Sequence, residues 1–138
     1  MPTTTPLSPL QRYLRDLDRE GFVKDPAQKM AVDKLQTLYE NLIQDQAERE
    51  KQANRWFTRF GKKKIKPVKG LYFWGGVGRG KTYLMDNFYE SLPFKQKMRI
   101  HFHRFMQRVH AELKTLDQQK DPLVVVAKKL SEEARIIC

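Results

Sequence analysis

Eight consecutive residues, Gly75-Gly76-Val77-Gly78-Arg79-Gly80-Lys81-Thr82, fit the spacing GxxxxGK(S/T), and each fixed residue type in that pattern has a physical task. Glycines allow positive φ angles, so the backbone can wrap closely round a phosphate and aim successive N–H groups at its oxygens. Lys81 brings a mobile positive charge to the outer phosphates of a nucleotide. The Thr82 hydroxyl has the size and place of a Mg2+ ligand at the first turn of a helix, whose dipole also favours an anion. Average residue usage would produce such a match in a chain of this length on the order of 0.5% of the time. A glycine-rich turn that binds nothing is the plainer alternative, and the setting weighs against it. The apolar run Leu71-Tyr72-Phe73-Trp74 precedes the glycines and a helical pattern follows, which is the strand–loop–helix context the motif requires.

The elements that must hold this loop can be read outward from it. Leu71 to Trp74, set between glycines, predicts a short strand buried on both faces of a parallel sheet. The helix that starts near Lys81 carries Leu84, Met85, Phe88 and Tyr89 on one face and stops before Pro93. Upstream, Ser8-Pro9 reads as an N-cap and first helical residue, with Leu10, Tyr13, Leu14 and Leu17 making an apolar face and Gly21 ending the helix. Asp25-Pro26 repeats the start signal for a long second helix with a stripe from Met30 to Ile43. Beyond Gln44 the segment is densely charged until Trp56, Phe57 and Phe60, and the lysine-rich stretch from Gly61 to Gly70 predicts an exposed loop. After Pro93, alternation of Met98, Ile100 and Phe102 with Arg99, His101 and His103 predicts a second strand. Phe105, Val109 and Leu113 return to helical spacing, Asp121-Pro122 opens a helix through Leu130 to Glu133, and Arg135-Ile136-Ile137-Cys138 reads as the opening of a third strand.

Weaker signals carry weaker readings. His101, His103 and His110 are the only histidines, and two on one strand face lack partners for a metal set. The lysines after Gly61 could touch phosphate backbones, with Trp56, Phe57 and Phe60 as a stacking platform, although a solvated loop and core aromatics account for both. Gln28, just inside the second helix, has an amide that could reach an adenine edge or could simply face water.

The bulk numbers bound these readings. With 138 residues and 40% apolar content, the chain fits one modest soluble domain or part of one. It has 27 Lys plus Arg against 16 Asp plus Glu, a net charge of +11 that admits nucleic acid, an anionic membrane or an acidic protein as partner. Cys138 is the sole cysteine, which excludes an internal disulfide and a cysteine-based zinc set. No apolar run approaches a membrane span and the start lacks the apolar stretch of a secretory signal, so a cytoplasmic protein is expected.

The blocks GLYFWGGVGRGKTYLMDNFY and RIHFHRFMQRVHAEL resemble the ZapE cell-division ATPases and their mitochondrial relatives, the ATPase-family-gene-one group of P-loop proteins, over about Phe22 to Cys138. The resemblance implies an α/β fold: a P-loop NTPase of the AAA+ type, with a parallel sheet core and a helical N-terminal extension. On that view residues 1–60 are the extension, 61–69 a basic loop and 70–138 the first part of the ATPase domain, incomplete at the C-terminus. It implies Mg2+-dependent ATP hydrolysis, with Gly75, Gly76, Val77, Gly78, Arg79, Gly80, Lys81, Thr82 and Tyr83 as the nucleotide loop, Lys81 as the catalytic cation and Thr82 as the Mg2+ ligand. Gln28 gains an adenine-side role, and the expected partner is the division protein FtsZ, with self-association possible. The acidic Walker B pair that polarises the attacking water would follow Cys138, so the chain by itself is expected to bind nucleotide without hydrolysing it. It is also expected to be marginally stable, because a strand belonging between the loop strand and the last strand comes later in such sheets. Two other functions stay open: a nucleic-acid-binding ATPase of the helicase-loader type, favoured by net charge, and a binding fragment without turnover.

Overall fold

Helix start signals dominate the architecture. In this computed structural model, residues 5–54, 66–76, 78 and 80–138 are described, and they divide into two compact units, Met1–Leu92 and Pro93–Cys138. The expectations for Trp56, Phe57, Phe60, the first lysines of the basic loop, Val77 and Arg79 fall outside the described residues.

The first unit is built from α1 (Pro9–Leu17), α2 (Pro26–Asn54) and α3 (Lys81–Ser91). Ser8 caps α1 as its type predicts: its hydroxyl accepts from the Gln11 N–H at 3.3 Å, the Gln11 side chain accepts from the Ser8 N–H at 2.9 Å, and Pro9 occupies the first turn. Gly21, at φ 85°, turns the chain where a side chain would be strained. Asp25 then accepts from the Ala27 N–H at 2.9 Å, starting α2. With 29 residues α2 is roughly 43 Å long. Its first half buries Val32, Leu35, Leu38 and Leu42 with Tyr13 of α1 and Leu84 and Phe88 of α3. Each such side chain is worth about 1.5–3 kcal/mol of burial, so this shared core fixes α3 to the N-terminal helices. The second half of α2 exposes charge and carries pairs one turn apart, such as Arg49–Asp45 at 2.7 Å and Gln46–Glu50 at 2.8 Å, of the kind that each add a few tenths of a kcal/mol to a helix.

The second unit runs β1 (Lys97–Met98), α4 (Phe102–Lys114), α5 (Pro122–Glu133), β2 (Ile136–Ile137). The strands pair in parallel, with Lys97 opposite Ile136 and Met98 opposite Ile137, and the Cys138 N–H reaches the Met98 carbonyl at 2.8 Å. Two antiparallel strands could be joined by a tight turn, whereas a parallel pair needs a long crossover, which α4 and α5 provide. Phe94, Val126, Leu130 and Ala134 are buried in this unit, and Arg108–Glu133 and Lys129–Glu112 ion pairs tie α4 to α5.

Two sequence expectations need correction. The run Leu71-Tyr72-Phe73-Trp74 forms no strand, and burial on both faces is overturned: Leu71 is 43% exposed, Tyr72 86% and Trp74 85%. Among the described residues no strand pairs with it, and an extended run becomes a strand only by pairing. The strand expected from Met98 to Phe102 is shorter. Pairing reaches only as far as the Ile100 N–H, which bonds the Cys138 carbonyl at 2.9 Å, and Phe102 already begins α4.

Candidate functional site

The glycine stretch ends at the N-terminus of α3, where Gly80 stands at φ 78° just outside the first helical residue, Lys81. Gly78, at φ 81°, is also left-handed. Gly80 has a second reason to be glycine: a Cβ there would collide with the Gln28 side-chain amide nitrogen, with the amide carbon at 3.5 Å. The start of α2 is therefore pressed against the last glycine of the loop.

No side chain caps α3. Its first intrahelical bond is Leu84 N–H to the Gly80 carbonyl at 3.0 Å, so the N–H groups of Lys81, Thr82 and Tyr83 precede the ladder and their dipoles converge on the space in front of the loop. The Lys81 ammonium donates to the carbonyls of Gly75 at 2.6 Å and Gly76 at 2.9 Å, folding back across the opening. These are carbonyl contacts that an anion can replace, since a charge-assisted bond to a phosphate is stronger than one to a neutral carbonyl. Thr82 is exposed beside it. A cavity of about 500 Å3 opens next to the loop, walled on one side by Gln28, Ala31 and Lys34 of α2 and on the other by Trp74, Gly76 and Lys81. Its volume lies in the range of small-molecule and cofactor sites. An uncapped helix start, a lysine ammonium, a hydroxyl and a side cavity suit a magnesium nucleotide, so the residues fit that ligand.

Of the residues singled out in the sequence, Gly75, Gly76, Lys81 and Gln28 line this cavity and Gln28 also meets Gly80, while Gly78 and Thr82 adjoin them along the chain. Tyr83 directs its side chain elsewhere. Its hydroxyl donates to Asp16 Oδ2 at 2.7 Å, and its ring meets Phe22 edge-on at 5.4 Å, with Phe22 in turn 6.0 Å from Tyr13. Burial together with the Asp16 bond pushes the Tyr83 phenol well above its ordinary value. Burial pushes the Asp16 carboxyl up, but the Tyr83 hydroxyl, Arg15 and Arg19 outweigh it and hold the group below its usual range. Asp16 is the residue that sequence reasoning missed. The available signal was its position three residues after Tyr13 on the buried face of α1, where an acid must find partners.

The His101 to Met106 block runs from the N-cap position of α4 into its first turns, where Phe102 is 77% exposed and His101, His103 and Arg104 are exposed. Among the described residues no group of three or more His, Cys, Asp or Glu is placed to hold a metal ion.

Comparison with known proteins gives this geometry its context. The AFG1-like ATPase family profile matches residues 7–138. The chain is 44% identical over 138 aligned positions to cell division protein ZapE of Escherichia coli, covering 96% of this chain and 37% of that protein. It is also 32% identical to an uncharacterized protein of Schizosaccharomyces pombe, over 99% of this chain and 36% of the relative, and 39% identical to lactation elevated protein 1 homolog B of Danio rerio, over 52% and 16%. No solved structure matches it. The chain therefore belongs to the AFG1-like ATPase family, and it spans a little over a third of the length of the relatives it covers most fully.

Proposed function

We propose that the chain binds Mg-ATP at the loop Gly75–Thr82, and that the protein couples binding and hydrolysis to remodelling of a protein partner. The observation that carries this reading is the uncapped start of α3, where Lys81 lines a cavity of about 500 Å3 and Thr82 follows it in the first turn. In it the backbone N–H groups of the loop and of the first turn of α3 hold phosphate oxygens, and Lys81 leaves the Gly75 and Gly76 carbonyls to neutralise the outer phosphates. Thr82 supplies a hydroxyl ligand to Mg2+, which when bound withdraws charge from the phosphates. Gln28, held at the loop by its contact with Gly80, presents its amide to the base. The Tyr83 N–H belongs to the loop while its side chain serves structure.

The AAA+ form of the P-loop fold, the division into a helical extension (1–60), a basic loop (61–69) and a nucleotide-binding part (70–138), and a cytoplasmic location are parts of the same proposal. No described helix is long and apolar enough to cross a membrane. The kinship with a cell division protein favours a division-ring partner of the FtsZ type. Lys81→Ala tests the reading: calorimetric titration with Mg-ATP should show binding to the parent chain and none to the variant at an unchanged circular dichroism spectrum. Equal affinity in the two would refute the site.

One observation favours a second reading, in which the ATPase acts on single-stranded nucleic acid. From Pro93 to Ala111 the sequence has five Lys or Arg and no Asp or Glu, and the exposed Phe102 lies between His101 and His103, with Arg104 following. Planar aromatic, imidazole and guanidinium groups stack on bases while cations meet phosphates. Oligonucleotide affinity that falls steeply with salt and drops in Phe102→Ala would support this reading, and salt-independent or absent binding would end it.

A further inference from the structure

We infer that Asp16 and Tyr83 are a positioning pair that fixes the first turn of α3 and thereby the placement of Lys81 and Thr82, an inference resting on the nucleotide reading above. The residues at the start of a helix lack the backbone bonds that hold its interior, so their position depends on tertiary contacts. Two such contacts flank the Lys81-Thr82 dipeptide, one on each side. Gly80 abuts Gln28 of α2, and Tyr83 reaches Asp16 of α1.

The second contact is built to have one geometry. Asp16 is 6% exposed. Its Oδ1 accepts from Arg15 Nε at 3.2 Å and Nη2 at 3.1 Å, with Arg19 Nε at 3.5 Å, which leaves Oδ2 to take the Tyr83 hydroxyl at 2.7 Å. With both carboxylate oxygens engaged, the hydroxyl has a single acceptor position, and the Tyr83 ring is set against Phe22, in the segment that leads into the start of α2. Loop glycine, lysine, hydroxyl and base-side glutamine are thus referred to one frame made by α1 and α2. A further link between α3 and α1, Asn87 Nδ2 to the Pro9 carbonyl at 3.2 Å, lies four residues beyond Tyr83 and away from the loop.

That distant link supplies the control. Tyr83→Phe keeps the ring and removes the hydroxyl, Asp16→Asn removes the charge, and Asn87→Ala removes the distant bond. Mg-ATP affinity would be measured by calorimetry at a temperature where melting curves show every variant folded, with Lys81→Ala as reference. Tyr83→Phe should weaken binding about tenfold and Asp16→Asn by somewhat less, while Asn87→Ala should change it by no more than about twofold, even where its melting temperature falls as far. Because the two residues act through one bond, Asp16→Asn with Tyr83→Phe should bind about as well as the weaker single variant. Affinity that follows melting temperature alone across the three variants, or parental affinity in Tyr83→Phe, would overturn the pair and leave the nucleotide site standing. Parental affinity in Lys81→Ala would instead remove the nucleotide site, and the pair's role with it.

Discussion

Replacing Gly80 by alanine tests the loop geometry at its tightest point, because two separable effects meet there. The first is backbone strain: at φ 78° an L-residue suffers the left-handed clash that glycine avoids, worth about 1–2 kcal/mol. The second is steric. The added methyl would overlap the Gln28 amide nitrogen, and since that nitrogen is the far end of a flexible side chain, Gln28 can swing aside at a cost of about 0.5–1.5 kcal/mol if it leaves its rotamer. Together they predict a loss of roughly 2–3 kcal/mol in Gly80→Ala, a drop in melting temperature of order 10 °C for a chain of this size. Combining it with Gln28→Ala should recover the steric part and leave the strain, so the double variant should be more stable than simple addition of the two single effects predicts. Urea melts followed by circular dichroism would measure all four chains. A Gly80→Ala protein as stable as the parent would refute the left-handed assignment. Strict additivity with Gln28→Ala would refute the contact.

Three further expectations follow from other parts of the molecule. The Asp16 carboxyl is held below its ordinary value and the Tyr83 phenol above its own, so the pair stabilises the fold fully between about pH 4 and pH 10. That contribution should fade as pH falls through the depressed Asp16 pKa or rises through the raised Tyr83 pKa, and Asp16→Asn should flatten the acid limb of a melting-temperature profile. Trp74 should emit as a solvated indole, tested in Trp56→Phe so that one tryptophan remains, and a blue-shifted, quencher-resistant spectrum would contradict its 85% exposure. Leu84→Ala, at a buried core position shared by the three N-terminal helices, should cost about 2–5 kcal/mol, and a loss under 1 kcal/mol in chemical denaturation would mean that α3 is not packed as described.

What the sequence disclosed was local. Ser8-Pro9 and Asp25-Pro26 announce helices because capping needs only neighbouring atoms, and both helices begin where these pairs stand. Asp121-Pro122 also stands at a helix start, yet by a different device: the Asp121 side chain makes no cap bond and its backbone is left-handed at φ 55°. The helix start after the glycines was equally legible, and α3 begins at Lys81. The Leu71–Trp74 run was misread for the complementary reason, that a strand is a property of a pair and the partner cannot be inferred from the run itself. The terminal strand was read correctly because Ile136 and Ile137 find Lys97 and Met98, across a crossover that helical periodicity had already marked.

The least legible feature is the one that ties these levels together. Asp16 and Tyr83 are separated by 67 residues, and each alone has an ordinary explanation, a helix-surface acid and an aromatic on an amphipathic helix. Only the fold shows that the acid faces inward and that its Oδ2 accepts from the third residue of α3. On the nucleotide reading proposed above, the motif supplies the groups that meet a phosphate, while the helices before it position the start of that helix. If that division of labour is right, changes in α1 that leave every motif residue intact should still alter nucleotide affinity, and those nearest Asp16 should alter it most.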